Sequence, residues 1–235
     1  MFPYDPALLA ISAAVPQTIA DVIASLTAIE NTCVDGDGLK WFNWLYLRVT
    51  QAVAAETDPA GWIAQLDFRF ARLYFSALGA YLAGASTPSC WRVLFENRDQ
   101  TPLGRIQFAM CGINAHINHD LAEAIVNTCD ATGIQPIHRC PQYADYTALN
   151  STLDALIDTA RHTLHVRLLG DVLPPVLQLE DTLAAWSISA ARELAWQNAE
   201  HLSYLRGMPE MQSGFLDMLD GFTTVIGKTL MVPVP

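Results

Sequence analysis

Charge is scarce in this chain, and positive charge scarcest. Only 16% of the residues are charged, and 13 lysines and arginines face 24 acids for a net charge of −11. Nucleic acids and anionic membrane surfaces are held by clustered Lys and Arg, so neither is an expected partner. No uninterrupted apolar run reaches membrane-spanning length, so no transmembrane helix is expected. The opening Met1-Phe2-Pro3-Tyr4-Asp5 lacks the basic stretch of a secretory signal. Cysteine is sparse as well. Cys33, Cys90, Cys111, Cys129 and Cys140 are odd in number and show no CxxC spacing. They read as reduced thiols, mostly core filler, in a cytoplasmic protein.

Several catalytic signatures are also missing. There is no GxGxxG, no P-loop and no strand–helix alternation to carry either, which argues against a nucleotide cofactor. GxSxG does not occur, so nucleophile-elbow serine chemistry is not expected. No Glu-x-x-His tetrapeptide is present, and with it goes the usual di-iron bundle.

What remains is hydrophobic. Apolar residues make up 51% of 235, enough for a substantial core in one helical domain spanning residues 1–235. Strand signals are few and helix punctuation recurs. Asp58-Pro59, Thr87-Pro88 and Thr101-Pro102 each pair a capping residue with proline at a first helical position. Val15-Pro16 opens another helix, and Asp37 precedes a run beginning at Leu39. The pattern predicts helices over about 16–31, 38–56, 59–83, 88–97, 102–131, 143–169, 176–205 and 209–228. The expected class is all-α: a compact bundle of about seven or eight helices around one long central helix, about 102–131.

Polar residues on apolar faces nominate a site. At ~100° per residue, Gln65, Arg69, Arg72 and Ser76 share one side of their helix, and Asp67 falls opposite among Ile63, Tyr74 and Leu78. A carboxylate there must be paired, hydrogen-bonded or metal-bound. On helix 176–205 a stripe of Leu183, Trp186, Ala190 and Leu194 runs into His201, while Arg192, Glu193 and Glu200 point the other way. Tyr146 lies on an apolar side with Leu149, Leu153 and Leu156. The densest concentration is Asn114-Ala115-His116-Ile117-Asn118-His119-Asp120. His116, His119, Asp120 and Glu123 share one arc, which is either a solvent face or an interior one. Ala109 and Gly112 precede His116 on that arc and would admit a neighbouring helix or leave a hollow.

Three blocks carry a resemblance. They are Asp37-Gly38-Leu39-Lys40-Trp41-Phe42, then Leu66-Asp67 with Phe70 to Phe75, then Gln107-Phe108-Ala109 leading into Gly112 to Leu121. A weaker fourth is Ala191-Arg192-Glu193 with Trp196. Over about residues 37–200 the chain resembles a helical bacterial family known only as domain of unknown function 5995. The resemblance implies a single-domain helical fold, with the Asn/His/Asp stretch and Asp67 as family hallmarks. It implies no reaction.

Three chemistries suit these residues. In the first, an enzyme of small-molecule or secondary metabolism isomerises, eliminates or cyclises an apolar substrate by acid–base work. His116, His119, Asp120 and Asp67 would be catalytic. Asn114, Asn118, Tyr74, Tyr146, His201, Trp41 and Trp186 would bind substrate in an apolar, aromatic-lined pocket. In the second, His116, His119 and Asp120 ligate Zn²⁺ or Fe²⁺ for hydrolysis or oxygen chemistry. In the third, the same pocket only binds an apolar ligand. Under the first, His116→Ala is expected to abolish activity with helicity and melting nearly unchanged.

Overall fold

The computed structural model describes residues 2–173 and 187–233. It is all-α, with no strand among the described residues beyond two isolated bridges. In chain order the helices are α1 (Asp5–Ser12), α2 (Ile19–Thr32), α3 (Gly38–Glu56), α4 (Trp62–Leu82), α5 (Ser89–Glu96), α6 (Arg105–Ala115), α7 (Leu121–Thr132), α8 (Pro141–Ala148), α9 (Asn150–Thr163), α10 (Ile188–Tyr204) and α11 (Pro209–Leu230). A π-helical turn, His116–Asp120, joins α6 to α7, so the two form one rod of about 42 Å at the usual helical rise. Gly133, left-handed at φ 69°, closes it.

The rod is the axis of the molecule. Residues 106–117 are buried on every side, because α3, α5 and α11 pack against α6, while α4 and α10 pack against α7. The α3–α6 contact is unusually close and reciprocal. Phe42 of α3 seats on Gly112 of α6, and Phe108 of α6 seats on Gly38 of α3. A Cβ on Gly112 would lie 2.3 Å from the Phe42 ring, so the small-residue arc ahead of His116 admits a helix and leaves no hollow. Gly112→Ala is therefore expected to lower stability by about 1–3 kcal/mol through overpacking. Gly221→Ala, on an exposed stretch of α11 with nothing within 4 Å, should instead gain up to about 1 kcal/mol of helix propensity. Thermal melts of the two variants must move in opposite directions. A Gly112→Ala melt at or above the parent's would refute the close contact.

Some predicted boundaries move, for physical reasons. Asp37 caps α3 as expected, its Oδ1 accepting from Leu39 N at 3.0 Å. It also accepts from the buried Arg98 guanidinium and from the Tyr4 hydroxyl, while Arg98 reaches Asp5 at 3.0 Å. This network seats α1, which the periodicity missed, against the start of α3 and the end of α5. Thr101-Pro102 forms only a turn, and α6 begins at Arg105. Its first N–H groups find carbonyls in a distant segment, Arg105 N donating to Val166 O (2.8 Å) and Ile106 N to Leu164 O (3.1 Å). Residues 164–173 therefore form a tight turn that folds back on itself and bridges to the start of α6, and the helix expected over 143–169 resolves into α8 and α9, ending at Thr163. Of the helix expected over 176–205, the part described is α10; Pro174-Pro175, Leu183 and Trp186 lie outside the described residues.

Candidate functional site

Asp120 is the hub of a buried polar cluster. Its Oδ2 accepts from Trp91 Nε1 at 3.0 Å and meets His116 Nδ1 at 2.9 Å, and its Oδ1 meets His119 Nδ1 at 2.7 Å. His116 and Asp120 are 1% and 3% exposed, so the arc they share is interior. The π turn contributes to this. Leu121 N reaches back to His116 O, one residue beyond the α-helical partner, and shifts the rod's register between the two histidines.

The cluster's charge follows from its contacts. Burial would raise the Asp120 carboxyl, but the bonds from His116 and His119 outweigh it and hold the group below its ordinary value. Asp120 is thus a carboxylate that can only accept, and both imidazoles present Nδ1–H to it. The two histidines then diverge. Burial lowers His116, and Asp120 only partly offsets this, so its imidazole is neutral at pH 7. Burial also works against protonated His119, but Asp120, Asp220 and Glu123 overcome it and raise that imidazole. The tautomer of His116 leaves Nε2 a bare lone pair, buried and without a donor.

His116 sits in an aromatic cage. Its ring lies flat on Phe70, with centroids 3.4 Å apart and planes within 4°. Tyr46 meets it edge-on at 4.8 Å, and Phe42, Tyr74 and Trp91 complete the surround. Truncating His116 would open a cavity among these rings, so His116→Ala is now expected to melt below the parent rather than nearly unchanged.

Phe70 and Tyr46 are shared with a small pocket beside the rod. It has a volume of about 50 Å³ and an apolar lining that includes Val49, Leu66, Leu121 and Leu153. Asp67 stands in its wall, on the buried side of α4 as the helical periodicity places it. Burial alone, with no charge or hydrogen bond to offset it, pushes the Asp67 carboxyl up to about 8. Its Oδ2 has no hydrogen-bond partner. The buried Tyr46 hydroxyl also lacks a bond of good geometry, and burial and then Asp67 hold its pKa well above the usual phenol value. Arg192 lines the pocket without pairing to Asp67. Its guanidinium donates to Tyr146 O (2.6 Å) and Asn150 Oδ1 (2.8 Å) and stacks 3.8 Å over the Tyr146 ring.

Residues 19–233, most of the chain, match a protein-family model. The chain belongs to DUF5995, a family of unknown function. The match extends on both sides of the 37–200 stretch covered by the resembling blocks. Comparison with curated proteins and with solved structures finds no match.

In this DUF5995 chain the other nominated residues are dispersed. Asn114 is consumed in packing, its Nδ2 donating to Thr223 O of α11 (2.9 Å) and its Oδ1 accepting from Asn118 Nδ2 (2.9 Å), and neither asparagine lines the pocket. Tyr74 is buried in the aromatic cage with its hydroxyl unpartnered. Tyr146 does line the pocket, but its hydroxyl donates to Arg192 O at 2.8 Å. Trp41 is bound to Asp35 O and covered by Arg105 at the start of α3, away from the pocket. Trp186 lies outside the described residues.

His201 is exposed, which corrects its placement as an interior group. The whole face of α10 is turned relative to expectation. Arg192, Ala195, Trp196, Ala199 and Leu202 are buried and Leu194 is 43% exposed. The alanines let α10 lie close on α7, and Arg192 can turn inward because Tyr146 and Asn150 satisfy it. His116 and His119 are each bonded to Asp120, with both Nδ1 atoms committed to one carboxylate, and this is not a converging ligand set. Sequence reasoning also missed Phe70 and Trp91 as neighbours of the site. No pattern joins them to His116, because they come from α4 and α5.

Proposed function

We propose that this protein is an enzyme of small-molecule metabolism that moves protons on the reactive end of an apolar substrate. The observation that carries this reading is the crowding of partnerless buried polar atoms at one place. Asp67 Oδ2 and Tyr46 Oη lack partners in the pocket wall, and His116 Nε2 lacks one behind that wall, where its ring packs against Phe70 and Tyr46. Each such atom costs about 1–3 kcal/mol, a penalty that a bound substrate group would relieve.

The roles follow from the protonation states. Asp67, neutral at pH 7, can donate to a carbonyl oxygen, a task for which a carboxyl kept protonated by an apolar wall is suited. Neutral His116 lies behind the pocket lining with Nε2 free; once Phe70 turns off its ring it can take the proton from the adjacent carbon, and the imidazolium so formed is stabilised by Asp120. Returning that proton to a different carbon while the enol proton goes back to Asp67 completes an isomerisation. No atoms are gained or lost. A pocket of about 50 Å³ admits only a few non-hydrogen atoms, so the substrate enters by its functional group and leaves its apolar remainder towards the surface.

The test is proton exchange, which needs no knowledge of the natural substrate. A panel of unsaturated cyclic ketones in D₂O is followed by NMR for deuterium at the acidic carbon. The parent should accelerate incorporation for at least one member, and Asp67→Asn and His116→Gln should each reduce it by about 10²–10⁴-fold. No exchange across the panel, together with an apolar molecule that co-purifies and is released unchanged, would replace this reading with simple ligand binding.

A further inference from the structure

We propose that Cys90, His119 and Asp220 form a divalent-metal site, chemically suited to Zn²⁺, on the far side of Asp120 from His116. One ligand atom from each of the three residues lies within 4.8 Å of the other two. The three come from separate elements: Cys90 from the first turn of α5, His119 from the π turn and Asp220 from the middle of α11. Proximity of this kind between three unlike ligands, two of them buried, does not follow from sharing one helix face.

Each ligand is already oriented. Asp220 accepts from Ser89 N through Oδ2 (2.9 Å) and from Cys90 N through Oδ1 (2.8 Å), which fixes its carboxylate over the start of α5. Each of those oxygens keeps a second lone pair. His119 has its Nδ1 engaged by Asp120 at 2.7 Å, which leaves Nε2 to ligate as the incoming ion displaces its proton. Asp120 is itself braced by Trp91 Nε1. A histidine held through its other ring nitrogen by a carboxylate is the usual support of a metal-ligating imidazole.

The donor set selects the ion. With its thiol proton displaced by the ion, Cys90 supplies one thiolate, which with one carboxylate balances a divalent charge. A sulfur–nitrogen–oxygen set favours Zn²⁺ over the hard cations Mg²⁺ and Ca²⁺. Tetrahedral bonds of about 2.0–2.3 Å place ligand atoms roughly 3.4–3.7 Å apart, so side-chain rotations moving atoms by about 1 Å would close the set. Asp220 is half-buried and gives the ion its way in, with the fourth position left to water. The ligand set differs from the one expected from sequence: His119 is retained, while Asp120 becomes its support and His116 takes no part. The inference does not depend on the pocket chemistry.

Cobalt reports on this site directly. Tag-free protein is stripped with a chelator and titrated with Co²⁺. The expected result is uptake of one equivalent with a near-ultraviolet thiolate-to-cobalt band and the intense visible bands of a tetrahedral ion, all abolished by excess Zn²⁺. Cys90→Ser should lose the thiolate band while Cys129→Ser keeps it. Asp120→Asn should weaken binding by about 10–100-fold. Asp220→Asn, at a half-buried position, provides a second ligand variant if Cys90→Ser folds poorly. The proposal is overturned if folded parent shows no thiolate–cobalt band with cobalt in large excess. It is equally overturned if the band persists undiminished in folded Cys90→Ser or Asp220→Asn.

Discussion

Replacing Asp67 with asparagine is expected to remove a pH dependence of stability that the parent shows between about pH 4 and pH 8. The folded carboxyl titrates at about 8, against an ordinary value of 3.8 in the unfolded chain. Between those values the unfolded state has lost the proton and the folded state retains it. The folded state therefore binds more protons, and stability must fall as pH rises through the window. The contribution is fully present below 3.8 and exhausted above 8. Each pH unit within the window removes up to about 1.4 kcal/mol, so the whole effect reaches several kcal/mol.

The amide that Asp67→Asn introduces cannot ionise, so melting temperatures of parent and variant should diverge as pH rises through the window, in the variant's favour. For a chain of this size each kcal/mol is worth about 2–4 °C, which a thermal scan resolves easily. Parallel curves would mean that Asp67 ionises as a surface acid does. That result would also remove the proton donor from the proposed reaction.

Asp120→Ala should be the most damaging single truncation in the rod. It strands three buried donors at once, on Trp91, His116 and His119. It also takes the counter-charge from His119. Removing one partner of a buried, hydrogen-bonded charge pair costs about 3–5 kcal/mol. Urea unfolding measures the loss, and a value below about 1 kcal/mol would contradict the hub assignment. A second readout separates electrostatics from packing. Because Asp120 is the strongest influence holding His119 up against its burial, the His119 imidazole should titrate at lower pH in the variant. An unchanged His119 titration by NMR would show that Asp220 and Glu123 suffice without it.

What the sequence determined by itself is local. The 3.6-residue period sets the class as all-α, and Asp37 before Leu39 and Gly133 after Thr132 place two helix ends through capping contacts made within a few residues. Asp67 could be assigned to a buried face because Gln65, Arg69, Arg72 and Ser76 mark the wetter side of the same helix. An amphipathic helix reports its own orientation in this way.

The rod carries no such mark. Residues 106–117 are apolar or small nearly all round, and their sidedness depends on which helices surround them. Whether His116 faces water was settled by Phe42 against Gly112, by Phe70 on the imidazole and by the register shift of the π turn. The face of α10 was decided by a guanidinium that buries only because Tyr146 and Asn150 receive it. Cys90 and Asp220 are 130 positions apart, and nothing near either one in the chain refers to the other. Local sequence encodes propensity and period. Burial of a polar group depends on partners supplied by other elements, so the site took shape only when α3, α4, α5 and α11 closed around the rod.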